Sequence, residues 1–199
     1  MYYNNYPFIH LRAQSSYSLS ESALKIEKLV KLAKTNKMPS IALTDNNNLF
    51  GALEFAIKSV ENGIQPIIGT SINILDIIEK NIPSQINLLV KNEIGYKNLL
   101  YLSSISHTSS NDMVGIKIED LQNFSDGLIC YIGGEFNPLL FLKIQNKKNE
   151  IENFIIKFLE IFSKNFYFEI QRIHNIKISD FEDDLISLSR KYEIPLIAS

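Results

Sequence analysis

The sequence predicts an α/β fold built on a parallel sheet with crossover helices, and three observations predict it. Short β-branched runs alternate with longer amphipathic ones along the whole chain. The stretch 39–69, PSIALTDNNNLFGALEFAIKSVENGIQPIIG, reads as a strand, a turn, a helix and a second strand, which is the repeating unit of such a sheet. With 199 residues, 45% of them hydrophobic, the chain can bury a substantial core.

Seven candidate strands follow: 7–12, 40–44, 66–73, 86–90, 127–132, 166–171 and 194–198. After the first, 23–35 sets Leu24, Ile26, Leu29, Val30 and Ala33 on one helical face. Lys25, Lys28, Lys31 and Lys34 then form a solvated row opposite. A second helix over 49–62 stops at Gly63, a residue suited to a left-handed cap. The third, 93–104, turns Leu99, Leu100 and Leu102 inward, and the polar segment 106–115 reads as a surface loop. Helices over 149–162 and 178–192 complete the alternation, the latter burying Phe181, Leu185 and Leu188. The last strand is apolar with nothing after it to cover its faces, which predicts a truncated domain.

Composition narrows the function classes. A formal charge of -2 gives no basic field for sequence-independent nucleic-acid binding, so any DNA contact is local or supplied by a partner. The single Cys130, within GLICYIGG, excludes a disulfide framework and a paired-cysteine metal site and reads as a buried structural thiol. No apolar run approaches the roughly 20 residues of a membrane span, and MYYNNYPF lacks a signal pattern. The expectation is a cytoplasmic protein without membrane contact.

In parallel α/β folds the functional groups gather at the carboxyl ends of the strands. There the sequence offers His10, Arg12, Gln14, Ser15 and Ser16, then Thr44, Asp45 and Asn46, then Thr70 and Ser71, then Gly133, Gly134 and Glu135, and finally Gln171 and Arg172. This is a polar rim with few metal ligands, since amides and hydroxyls carry no charge to offer a cation. Phosphate-cradling glycine motifs, a nucleophile elbow and HExxH are all missing. Asp45 reads either as a charged pocket residue or, with the asparagines after it, as a helix cap. Glu21 is either a pocket carboxylate or part of the first turn of a helix. His10 either points into a barrel or is a hydrogen-bonded structural histidine, while His107 and His174 fall in expected loops, exposed to solvent. Ser15, Ser16 and Ser18 have no neighbouring base and read as turn and capping residues.

The segments FIHLRAQSSYSLSES (8–22), ALTDNNNLFGALEFA (42–56), GIQPIIG (63–69), LLVKNEIGYKNLLYLSS (88–104), GLICYIGG (127–134), NFYFEIQ (165–171) and IPLIAS (194–199) together resemble the N-terminal PHP (polymerase and histidinol phosphatase) domain of bacterial replicative DNA polymerase III alpha subunits. The resemblance covers nearly the whole chain, read as one domain over 1–199. It implies a distorted (βα)7 barrel, cut near its seventh strand, from the start of a longer DNA-directed DNA polymerase. Nucleotidyl transfer with Mg2+, and contact with DNA, would then belong to downstream domains.

The departures from the family pattern carry the functional expectation. Where metal-binding members have an HxH pair, this chain has Arg12 and Gln14; where they have Asp before Gly, it has Glu21 before Ser22. The family's TDHGN becomes TDNNN, which keeps Asp45 and replaces the histidine with Asn46. Ser71, Gln85 and Gly134 stand at further ligand positions. The resemblance therefore implies a degenerate pocket with no metal, no cofactor and no catalytic residue in this stretch. It implies a structural module that docks the proofreading exonuclease subunit among other replicase subunits. The alternative is a metal-dependent phosphoesterase or 3′–5′ exonuclease. Arg12 is expected to pair with Asp45 or Glu21, supplying the charge a cation would bring.

Overall fold

A computed structural model describes residues 8–76, 84–108, 113–172 and 176–199. Among them six strands form one sheet in the order of the sequence: β1 (Ser40–Asn46), β2 (Gln65–Asn73), β3 (Gln85–Val90), β4 (Leu128–Gly133), β5 (Phe166–Ile170) and β6 (Leu196–Ala198). Helices α1 (Ile26–Thr35) and α2 (Ala52–Glu61) flank the first two strands. Helices α3 (Glu93–Thr108), α4 (Ile118–Phe124), α5 (Pro138–Ile144), α6 (Lys148–Phe162) and α7 (Ile176–Tyr192) serve the rest.

Side-chain alternation along the strands separates two faces. Ile41 and Leu43 of β1 join Leu29, Val30 and Phe55 under α1 and α2. Leu128, Cys130 and Ile132 of β4, with Phe166 and Phe168 of β5, join the larger core beneath the later helices. On the opposite face Ala42 of β1 shares a cluster with Leu89, Tyr131, Tyr167 and Ile197 from β3 to β6. Strands so far apart in order share that cluster only if the sheet curls, and the fold is a half-barrel with an inner face.

The strand expected over 7–12 is, in its described part, an irregular segment with a bend at Leu11, lying beside β1 rather than laddered to it as a strand. Ala42 N–H donates to the His10 carbonyl at 2.8 Å and Thr44 N–H to that of Ala13 at 2.7 Å. Three residues on this segment span two on β1, so the regular pairing of a strand is broken. The sheet is also mixed: β3 runs antiparallel to both β2 and β4, whereas β1–β2, β4–β5 and β5–β6 pair in parallel. The link 74–84 is too short for the crossover of a dozen or more residues that parallel strands need. The reversal brings Gln85, at the start of β3, level with Asn73 at the end of β2.

Helix boundaries moved for local reasons. α2 starts at Ala52 rather than at 49, because the Asn48 side chain accepts from Phe50 N–H at 3.1 Å and holds a turn ahead of it. Gly63 has φ +72°, the left-handed value a helix stop needs. Two helices were not anticipated: α4, whose Ile118 N–H is met by the Asp76 carboxylate, and α5, where Asn137 caps and Pro138 opens the first turn. Cys130 is buried and free, as expected. Among the described residues no helix is long and apolar enough to cross a membrane.

Candidate functional site

The inner face is apolar toward one end of the half-barrel and polar at the other, where β1, β2, β4, β5 and β6 finish and β3 begins. There a cleft of about 340 Å³ is lined by Arg12, Gln14, Glu21, Gln85, Glu135, Phe136, Gln171 and Ser199. The eight positions singled out from the sequence gather at or beneath it.

Arg12 projects from the segment beside β1 across the mouth of the curl. Its Nη1 lies 3.0 Å from Oε2 of Glu169 on β5, with side-chain exposures of 14% and 0%. The expected partners Asp45 and Glu21 are both engaged elsewhere, so the pairing expectation is corrected in partner. Glu169 also accepts from Ser199 Oγ at 2.5 Å and from Gln171 Nε2 at 3.3 Å. With a guanidinium and two further donors, a fully buried carboxylate is compensated. Gly134, with φ +72°, makes room for this arrangement: a Cβ there would stand 2.6 Å from Gln171 Oε1 and 2.7 Å from Arg12 Nη1.

Asp45 is 1% exposed. Its Oδ1 accepts from Ser15 N–H at 2.7 Å and Ser18 Oγ at 2.6 Å, and its Oδ2 from Ser15 Oγ at 2.7 Å. It therefore neither caps α2 nor faces the cleft, but fastens the turn after Gln14 to the end of β1. The serines are turn residues, and Asp45 is the acceptor that orders them. Asn46 links the walls, accepting from Gln14 Nε2 at 3.0 Å and donating to Glu21. Glu21 precedes α1 and is a cleft carboxylate. Below, Ser71 Oγ donates to Asn87 Oδ1 at 2.6 Å, and Thr70 Oγ1 donates to the Asp45 carbonyl at 2.7 Å.

The histidines stand outside this cluster. His10 is exposed and meets Phe8 edge to face at 4.8 Å between centroids, so it does not enter the curl, and among the described residues its ring makes no hydrogen bond. His107 lies in the last turn of α3 rather than in a loop, exposed as expected. Its Nε2 sits 2.7 Å from the Asn47 carbonyl. His174 lies outside the described residues. Arg172 leaves the rim to pair with Glu182 at 2.9 Å. Among the described residues no group of three or more His, Cys, Asp or Glu side chains is placed to hold a metal ion.

Sequence reasoning missed Glu169 and Asn87. The signal for Glu169 was a lone carboxylate within the aromatic strand FYFEI, where alternation sets it on the same face as Tyr167. Burial and charge act on two neighbours here. Desolvation, then the Glu169 carboxylate, pushes the Tyr131 phenol well above its ordinary value, and desolvation does the same to the Cys130 thiol.

A curled α/β sheet with a polar cluster at its strand ends defines a class, and the comparisons agree with it. The model for the PHP domain matches residues 10–173, and the chain belongs to that family. Within it, the chain matches the N-terminal region of DNA polymerase III alpha subunits. It is 44% identical over 197 residues to the Rickettsia bellii protein and 39% identical over 206 residues to the Borreliella burgdorferi protein. Each match takes in 96% of this chain, but only 16% and 18% of those relatives' length. Among solved structures, a putative metal-dependent phosphoesterase from Bifidobacterium adolescentis superposes with a TM-score of 0.61 at 8% identity, covering 96% of this chain and 85% of the other. An amidohydrolase from Chromobacterium violaceum gives 0.58 at 12% identity, covering 94% and 84%. These two likenesses are of fold alone.

Proposed function

We propose that residues 1–199 are the N-terminal PHP domain of a replicative DNA polymerase III alpha subunit, with a degenerate metal pocket, acting as an architectural module that docks the proofreading exonuclease subunit. Nucleotidyl transfer, its Mg2+ and the main DNA contacts belong in this reading to the remainder of the polymerase chain. The observation that carries it is the Arg12–Glu169 pair, which sets a fixed cation of the protein's own at the mouth of the curl.

A trinuclear or dinuclear hydrolase needs several anionic or imidazole ligands with free lone pairs, to lower the pKa of a bound water. Here Asp45 spends both oxygens on Ser15 and Ser18, Glu169 is held by Arg12, and Gln14, Asn46, Ser71 and Gln85 are neutral. The donor set does not fit such a centre. That weighs against the phosphoesterase or 3′–5′ exonuclease reading and for a scaffold whose polar end has become structural.

Docking is tested by mixing the cognate exonuclease subunit with the intact alpha subunit and, separately, with this chain, and measuring association by calorimetry. The proposal expects binding to both. Binding to the intact subunit with none to this chain would place the dock elsewhere and remove that half of the reading.

A further inference from the structure

Helix α2 is apolar on two sides. Ala52 and Phe55 are buried in the fold. Leu53, Ile57 and Val60, with Phe50 in the turn ahead of the helix, are instead 72%, 49%, 69% and 70% exposed. At the helical repeat, Leu53, Ile57 and Val60 fall within about 60° of one another, and the spacing from Phe50 to Val60 is that of a helix–helix seam. The Phe50 ring is held in place by stacking on His107, 6.4 Å between centroids. Single apolar side chains at a surface are ordinary, but a helix apolar on both faces is one that is covered.

Charge gives a second, independent sign. α1 packs beside α2, and the Lys34 ammonium donates to the Asn62 side chain at 3.3 Å. The carboxylates of the two helices are all engaged: Glu27 by Lys31 at 2.7 Å, Glu61 by Lys58 at 3.1 Å and Glu54 by the Tyr17 hydroxyl at 3.3 Å. Lys25, Lys28 and Lys37 are exposed, and their ammonium groups make no hydrogen bond or ion pair among the described residues. The free charges beside the apolar stripe are therefore cations.

We infer that α1 and α2 together dock an acidic amphipathic helix of a partner protein. Its apolar face lies along Phe50, Leu53, Ile57 and Val60, and carboxylates on one flank meet the lysines of α1. The stripe runs about 15 Å, which is about three turns of the incoming helix. A second copy of this chain would bring two lysine rows together, which like charges oppose. A nucleic-acid backbone would meet the lysines but leave the aliphatic side chains uncovered. The inference stands on this helix pair and requires neither the degenerate pocket nor the exonuclease dock.

The test is fluorescence anisotropy of the whole chain with a labelled helical peptide of about four turns, leucine on one face and glutamate on its flanks, and a twin with lysine for each glutamate. The acidic peptide is expected to bind at micromolar concentrations and the basic twin about tenfold more weakly. Leu53→Gln with Val60→Gln is expected to weaken the acidic peptide about tenfold. Lys25→Gln with Lys28→Gln is expected to weaken it about threefold and to reduce its response to salt. These four sites are exposed, and an unchanged urea midpoint checks that each variant folds. No binding at about 100 μM, equal affinity for the twin, or unchanged affinity in Leu53→Gln with Val60→Gln would overturn the inference. So would tighter binding of a DNA duplex of about 20 base pairs, or self-association of the chain that Leu53→Gln with Val60→Gln abolishes. Peptide binding to this chain but not to the intact alpha subunit would seat a further stretch of the same polypeptide on the face and overturn the partner.

Discussion

Arg12 and Glu169 stand 157 positions apart in sequence, yet their side chains meet at 3.0 Å across the open end of a curled sheet, one beside its first strand and the other on its fifth. Breaking the pair from the cationic side leaves a fully buried carboxylate without its counter-charge. Arg12→Leu is therefore expected to lower stability by about 3–5 kcal/mol, and Arg12→Leu with Glu169→Leu to lose less than Arg12→Leu alone. Urea unfolding of the three chains checks the order.

Gly134 is tied to the same pair. An alanine there would adopt a left-handed conformation, and its Cβ would stand against Arg12 and Gln171. Gly134→Ala is expected to cost more than the backbone penalty of about 1–2 kcal/mol in a denaturant melt, and less when Arg12 is already Leu, because the contact with Gln171 then remains alone.

Asp45 gathers three donors from the turn that follows Gln14. Asp45→Ala leaves the Ser15 amide and two hydroxyls without their acceptor, and a loss of about 2–4 kcal/mol is expected. Hydrogen exchange locates it: the Ser15 amide is expected to exchange faster in the variant, whereas amides in the middle of β4 keep their order of protection relative to the rest of the sheet.

Alkaline pH tests the buried end of the sheet. The Cys130 thiol and the Tyr131 phenol both have native values raised well above the ordinary 9.0 and 10.0. Above those ordinary values the unfolded chain releases protons that the native chain keeps, so stability falls as pH rises; below them the contribution is whole. Tyr131→Phe should remove the phenol's part of that slope. It also loses the 2.8 Å bond to the Leu11 carbonyl, worth about 1 kcal/mol at neutral pH. Urea midpoints measured from about pH 8 to pH 11 in both chains separate the two effects.

The fold was legible where one principle decides each element. Amphipathic period located α1, α2, α6 and α7, and apolar runs located the strands from β1 to β6. Strand direction was not legible, because β3 reads like its neighbours and only the length of the link before it hints at reversal. α4 and α5 span two turns each, too short for a periodic signal. At the site, resemblance pointed to positions such as Gln85 and Gly134 that composition could not have marked. The partner of Arg12 stayed hidden because curvature, which no local pattern encodes, brings β5 opposite the segment beside β1. Asp45 was named for its charge, and its role in holding Ser15 and Ser18 follows from a turn whose path is set by tertiary contacts.

The most direct measurement is metal content by elemental analysis after incubation with zinc and manganese and removal of free ions, with Glu169→Ala and Asp45→Ala as controls. The account predicts less than about 0.1 equivalent per chain in all three proteins, since Glu169 and Asp45 are committed to Arg12, Ser15 and Ser18 and the described residues gather no group of three or more metal-ligating side chains. One or more equivalents in the parent chain, lost in either variant, would contradict it and show a working metal centre where the structure sets an ion pair.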